Sequence, residues 1–193
     1  MKKMSGRKVG LFVVLAALFM PVTVMAVHSD YGCDGCHAPH DASALPGVPL
    51  WSGRETTTTF TSLYSSDTLD AVPGQPDGAS KLCLGCHDGV TDPNYVWMGA
   101  DVTFGADELA DTHPISFVYD SALATADGAL KDPSEDSGLG GTIYEDLLHS
   151  TGKVQCNSCH DVHTTGVGDN AMRGMDYFHG AGGGQFCRMC HEK

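Results

Sequence analysis

All eight cysteines of the chain occur in four copies of one pattern, in which two cysteines stand three positions apart and a histidine follows directly. Two thiols with this spacing can form thioethers with the two vinyl groups of one porphyrin, and the next residue then lies beneath the iron. The pattern predicts four covalently attached haems of the c type. The first to fourth motifs supply the thioether residues Cys33 and Cys36, Cys83 and Cys86, Cys156 and Cys159, and Cys187 and Cys190, with His37, His87, His160 and His191 as proximal iron ligands.

Two other chemistries use paired cysteines. Four such pairs could form two structural zinc sites, or a disulfide framework in an exported protein. Neither accounts for a histidine directly after the second cysteine in all four copies. Haem attachment is therefore the preferred interpretation.

A low-spin haem iron takes a sixth ligand, and six histidines lie outside the motifs. We predict bis-histidine ligation throughout, which gives lower potentials than a histidine–methionine pair. The predicted distal ligands are His28, His40, His113 and His163, and the weaker candidates are His149 and His179. Methionine ligation is the alternative, but Met98, Met172, Met175 and Met189 are more simply explained by packing.

Position along the chain separates these histidines. His40 and His163 each follow a proximal histidine by three residues, which is too close to reach the opposite face of the same iron, so each must serve a different haem. His113 precedes Pro114, which favours an extended backbone that presents the imidazole from a rigid loop. His28 lies at the start of the predicted mature chain, where it can reach a haem of its own or of a neighbouring molecule.

The first 26 residues have the pattern of a secretory signal peptide. Basic residues come first, an apolar run follows, and Val24-Met25-Ala26 resembles a cleavage site. We therefore predict a signal peptide over 1–26 and a single tetrahaem domain over 27–193, with no membrane span in the mature form. Without the four basic residues of the signal, 7 Lys and Arg remain against 24 Asp and Glu, a formal charge of −17 that argues against nucleic-acid partners.

Elements that could position the motifs are short. The motifs and the composition together predict a multihaem cytochrome c fold, mostly loops with short helices and few strands, wrapped around the haems. Residues 56–60 have strand-like composition, residues 127–141 read as a loop, residues 144–149 read as a short helix, and helical turns are expected to carry the motifs.

Several stretches resemble the OmcE-type extracellular tetrahaem c-type cytochromes, and the start of the mature chain is also similar to the related hexahaem OmcS type. The resemblance rests on residues 27–40, Leu50-Trp51, 63–69, 78–89, 113–115 and 154–163. It implies a subunit of a cytochrome filament, or nanowire, in which haems stack continuously and a histidine of one subunit ligates a haem of the next. By position that histidine is His40, with His28 as the alternative. The family pattern also supports His28, His113 and His163 as distal ligands, whereas His149 and His179 depart from it.

The expected function is electron transfer, most simply as an extracellular or outer-surface filament subunit that passes electrons from upstream proteins to metal oxides or electrodes. A monomeric periplasmic tetrahaem shuttle is the alternative, and a multihaem reductase is less favoured. Catalysis on a haem needs an open iron position, and ten histidines are available for eight axial sites. We therefore expect no enzymatic activity.

Overall fold

The computed structural model of the chain describes residues 28, 33–38, 53–91, 103–148, 151–163, 172–173 and 184–192. The predicted signal peptide lies outside these residues. So do three of the candidate distal ligands, His40, His149 and His179, and two of the methionines, Met98 and Met175. No helix within the described ranges is long and apolar enough to cross a membrane.

The described residues form short elements joined by turns. Four α-helices are present in them: α1 (Gly78–His87), α2 (Ser121–Asp127), α3 (Ile143–Leu147) and α4 (Cys156–Cys159). Turns of 3-10 helix occupy Cys33–Gly35, Glu108–Asp111 and Cys187–Met189. The strands β1 (Phe117–Val118) and β2 (Lys153–Val154) pair antiparallel, with Phe117 opposite Val154. The predicted helix over 144–149 begins one residue earlier in the structure.

Local sequence explains where two of the helices begin and end. Asp120 precedes α2 and its carboxylate accepts a hydrogen bond from the amide of Leu123, while Gly128 ends the helix in the left-handed conformation at φ 68°. Thr142 precedes α3 and forms a reciprocal pair of side-chain to backbone bonds with Glu145. These caps let helices of seven and five residues form.

The strand-like stretch over 56–60 is not part of a sheet. Its amides bond to side chains and to a helix carbonyl rather than to a neighbouring strand. The amide of Thr56 donates to the Lys81 carbonyl at 3.0 Å, and that of Phe60 donates to the Gln75 side chain at 2.9 Å. The strand expectation was therefore wrong, because composition does not say which partner satisfies the backbone.

Two apolar clusters form the described interior. The larger cluster comprises Phe117, Tyr119, Ala124, Ile143, Leu147, Leu148, Val154 and Met189. The smaller cluster comprises Phe60, Leu84 and Leu109. The larger cluster lies next to the fourth motif, since Phe186 and Cys190 pack against it. The smaller one includes a residue of the second motif, so each cluster supports a motif directly.

Candidate functional site

Each motif lies on a single helical turn. The amides of His37, His160 and His191 donate to the carbonyl of the first cysteine of their own motif, at 2.8, 3.0 and 2.9 Å. The second motif lies inside α1. In a helical turn, residues three and four positions apart share a face. The two thiols and the imidazole of a motif therefore lie on the same side of the backbone, as attachment to one porphyrin requires.

Thiols of successive motifs lie near one another. A hydrogen bond between the thiols of Cys83 and Cys156 raises the pKa of Cys83 and lowers that of Cys156. Cys36 also raises the pKa of Cys83. Burial, followed by the neighbouring thiol of Cys190, raises the pKa of Cys159 to about 12. The four motifs are thus neighbours in chain order, first to second, second to third and third to fourth.

Three proximal histidines each have an imidazole from another segment opposite them. The ring centroids of His28 and His87 are 6.0 Å apart, and those of His37 and His163 are 6.1 Å apart. The rings of His113 and His191 form the third pair, with centroids 6.4 Å apart. None of these six histidines is buried.

These separations fit two ligands on one metal ion. A bond from a metal ion to a histidine nitrogen is about 2 Å long, so imidazoles on opposite sides of one ion have centroids about 6 Å apart. Aromatic neighbours in general also lie about 4.5–7 Å apart, so distance alone does not identify a ligand pair. The stronger observation is that each pair joins a proximal histidine to a predicted distal one. The residues present therefore fit a haem at the first, second and fourth motifs.

Two of the predicted distal histidines have surroundings that suit ligation. Nδ1 of His113 lies 2.9 Å from the Pro114 carbonyl, and because a carbonyl only accepts, Nδ1 must carry the proton and Nε2 keeps its lone pair. Partial burial, followed by the charges of His87 and His160, lowers the pKa of His28. The first contact leaves Nε2 of the neutral His113 ring as the nitrogen available for a metal, and the lowered pKa of His28 favours its neutral imidazole.

The ring of His163 lies near the first motif, although the residue follows the third. It stands three residues after His160, yet its ring lies nearly parallel to that of His37, at 15°. Its amide donates to Asp161 at 3.0 Å, which fixes the turn between the two histidines. The backbone of the third motif thereby places one imidazole near its own cysteines and another near the first motif.

The methionines separate into two environments. Met189 is 3% exposed and belongs to the larger apolar cluster, as expected for packing. Met172 pairs with His160 through an isolated β-bridge, and the amide of Arg173 donates to the Cys159 carbonyl at 2.9 Å. The segment at 172–173 thus runs along the third motif.

Asp88 is a buried carboxylate that the sequence analysis did not single out. It follows the proximal His87, is 2% exposed, and accepts hydrogen bonds from the hydroxyls of Thr56, Thr58 and Thr91. Burial raises its pKa, but hydrogen bonds from Thr56, from the hydroxyl and amide of Thr91 and from the Val90 amide outweigh burial and lower it. Nothing in its local sequence distinguishes it, since Asp161 follows His160 in the same way.

Gly85 is the second residue that sequence reasoning missed. It lies between Cys83 and Cys86, where a Cβ would come within 1.7 Å of the Arg54 carbonyl oxygen. The extended segment over 53–60 can cross α1 at this point because glycine has no side chain. This crossing brings Thr56 and Thr58 to Asp88.

Paired cysteines can also form disulfide bonds or structural zinc sites. None of the eight cysteines, all of them described, forms a disulfide bond. Within the described ranges, no group of three or more His, Cys, Asp or Glu side chains is placed to hold a metal ion together. The imidazoles instead form the three pairs described above.

The chain matches no protein-family model, and no curated protein is significantly similar to it.

Proposed function

We propose that the chain is an electron-transfer protein that carries four haems c, each attached through the two cysteines of one motif. The observation that supports this best is the set of three imidazole pairs, His28 with His87, His163 with His37, and His113 with His191. Each pair joins segments distant in sequence, and each includes one motif histidine.

The paired imidazoles favour electron transfer over catalysis. A bound haem supplies a one-electron couple between ferric and ferrous iron. Histidines on both faces leave no iron position for a substrate, so the residues of these three sites are suited to hold the iron in one geometry in both oxidation states. Neighbouring thiols of successive motifs support a chain of four adjacent haems.

The ring pairs among the described residues leave the distal ligand of the third motif open. The ring pairs support three of the predicted distal ligands, and the remaining candidates are His40, His149 and His179, which lie outside the described residues. The resemblance to filament-forming cytochromes gives this role to His40 of an adjacent subunit. We therefore propose an exported filament subunit that conducts electrons at or beyond the outer surface.

A monomeric periplasmic shuttle is the second proposal, and one observation favours it. All three imidazole pairs lie within a single chain, so most of the ligand set needs no neighbouring subunit. If the ligand of His160 also comes from the same chain, the protein is complete as a monomer.

The haem proposal is tested on protein exported from a host that matures c-type cytochromes. Haem content per chain is measured by pyridine haemochrome absorbance, and ligation is measured by electron paramagnetic resonance. Four haems with low-spin signals are expected. His113→Ala should convert one haem to a high-spin form, while Asp67→Ala, an exposed control, should change none. Fewer than four haems in the unmodified protein contradicts the proposal.

The filament proposal is tested by negative-stain electron microscopy of the same protein with His40→Ala beside it. Filaments that disappear in His40→Ala, but persist in His149→Ala and His179→Ala, are the expected result. Dispersed particles in every sample, each with four low-spin haems, would establish the shuttle instead.

A further inference from the structure

Two aspartates occupy the same position in adjacent motifs but have different surroundings. Asp88 follows His87 at the end of α1, and Asp161 follows His160 just beyond α4. The two helices pack against each other, and the thiols of Cys83 and Cys156 are hydrogen-bonded. The second and third motifs therefore offer a matched comparison of the charge beside a proximal histidine.

Asp88 is held by neutral donors. One oxygen accepts the hydroxyls of Thr56, Thr58 and Thr91, the last two at 2.9 and 2.5 Å. The other oxygen accepts the amides of Val90 and Thr91, at 2.9 and 2.8 Å. Among the described residues, no lysine or arginine forms an ion pair with this carboxylate. A full negative charge therefore stays buried beside His87.

The position of Asp88 is electrostatically unfavourable in the protein alone. It caps the C-terminus of α1, where its amide bonds to the Leu84 carbonyl. The dipole of a helix puts negative charge at this end, so a cation is ordinarily preferred there. A carboxylate at this site adds to the negative potential that the helix already directs at His87.

Asp161 has a cation beside it. A nitrogen of the Arg173 guanidinium lies 3.4 Å from its carboxylate, and the same guanidinium donates to the Asn157 carbonyl at 2.7 Å. The side chains of Asp161 and Arg173 are 22% and 20% exposed. The charge of Asp161 next to His160 is thus balanced by the charge of Arg173, whose guanidinium is held by the Asn157 carbonyl of the third motif.

We propose that Asp88 lowers the reduction potential of the haem held by Cys83, Cys86 and His87, and that Arg173 cancels the corresponding effect of Asp161 at the third motif. This rests on the proposed haem function. A buried anion favours the ferric over the ferrous state, because reduction brings an electron into a negative potential. An electron shared by these two adjacent sites therefore rests preferentially at the third motif.

Asp88→Asn separates this role from a structural one. The amide has the same shape, its oxygen can accept the bonds from the Val90 and Thr91 amides, and its NH2 group can donate to two of the three threonine hydroxyls, which rotate to accept. Four of the five hydrogen bonds can therefore be replaced while the charge is removed. A role limited to holding the 53–60 segment against α1 would leave the potentials unchanged.

The test is a spectroelectrochemical titration of the four-haem protein, resolved into four one-electron components. Asp88→Asn should raise the reduction potential of one component by at least about 59 mV, which is a tenfold change in the equilibrium constant of a one-electron couple. His28→Met, which changes the ligand opposite His87, should move the same component. Arg173→Gln should lower a different component, because it leaves Asp161 unbalanced. Asp67→Asn, an exposed aspartate, should move none.

The outcomes are separable. Four haems in every variant with titration curves that superimpose on the unmodified protein would overturn the role of Asp88 while leaving the haem function intact. A shift by Asp88→Asn in a component that His28→Met does not affect would overturn it as well. If Asp88→Asn does not fold, Arg173→Gln provides the test. A reduction potential at the third motif that is unchanged in Arg173→Gln contradicts the proposal. Absence of haem from the unmodified protein refutes the proposed function itself.

Discussion

The fourth motif adjoins an apolar cluster of eight buried residues, which also includes Val154 just before the third motif, whereas the second motif adjoins a cluster of three. Around the second motif, where fewer apolar side chains are buried, polar contacts hold the segments together. Asp88 collects five hydrogen bonds there, and the backbone of Arg54 crosses α1 at Gly85. Apolar contacts tolerate small displacements better than hydrogen bonds do, so we expect the two regions to respond differently to substitution.

A buried glutamine joins the two regions. Gln155 is 4% exposed and precedes α4. Its side-chain oxygen accepts from the Ser80 amide and the Ser116 hydroxyl, and its nitrogen donates to Asp77 at 2.6 Å. Asp77 is the residue before α1 and also pairs with Lys153 of β2. The second and third motifs are thus connected through one polar junction.

The largest loss of stability is expected from a substitution in the larger apolar cluster. Ile143 is fully buried, so Ile143→Ala should lower the free energy of unfolding by about 4 kcal/mol through lost apolar transfer and a residual cavity. Val118→Ala, at a side chain 53% exposed, should cost about 0.5 kcal/mol or less. Urea unfolding gives the energies, and hydrogen exchange shows which amides open. Equal opening over 53–91 and 116–154 in Ile143→Ala would show that the regions form one cooperative unit.

Gly85→Ala should cause the next largest loss of stability, and the structural change should lie around the second motif. The new Cβ meets the Arg54 carbonyl, so the crossing segment must move, at a cost of about 3 kcal/mol. Exchange of the Thr56 amide should accelerate, because its bond to Lys81 depends on the crossing. Gly74→Ala is the matched control, since its Cβ finds the nearest atom at 3.9 Å. An unchanged Thr56 amide in Gly85→Ala contradicts the proposed crossing.

Removing the Gln155 side chain should lower the free energy of unfolding by an intermediate amount. Gln155→Ala leaves the Ser80 amide and the Ser116 hydroxyl without their acceptor, which should cost about 2 kcal/mol. Gln185→Ala, at an exposed glutamine, should have little effect. A double-mutant cycle with Asp77→Ala measures the coupling across the junction. Additive energies would show that the two regions are not connected through these side chains.

The smallest effect is expected at the cap of α3. Thr142→Ala removes the hydroxyl that accepts the Glu145 amide and should cost about 1 kcal/mol. Thr125→Ala, at an exposed threonine inside α2, is the control. Thermal unfolding at neutral pH measures both. An equal change in the two variants would mean that the cap does not stabilise α3.

The same cap gives a pH dependence. Bonds from the Thr142 amide and hydroxyl lower the pKa of Glu145 below its ordinary 4.5. The stabilisation is therefore fully present above pH 4.5 and is lost as the pH falls through the lower folded value. Glu145→Gln should flatten the acid side of the stability curve, as measured by thermal unfolding across this pH range.

Sequence alone determined the features that depend on neighbouring residues. The four motifs, their thiols and their proximal histidines follow from spacing, and the helical turn that carries each motif follows from the same local geometry. The loop over 127–141 and the short helix before the third motif were also predictable, because turn residues and a capping threonine act within a few positions.

Tertiary structure decided which distant groups meet. The positions of His28, His113 and His163 marked them as candidates, but whether each lies opposite His87, His191 or His37 depends on how loops of tens of residues return to the motifs. The same holds for Asp88 and Asp161, which are alike in local sequence and differ because a threonine-rich segment reaches one and Arg173 reaches the other. Local spacing fixes what a residue can bond to, and only the folded chain fixes which partner comes within bonding distance.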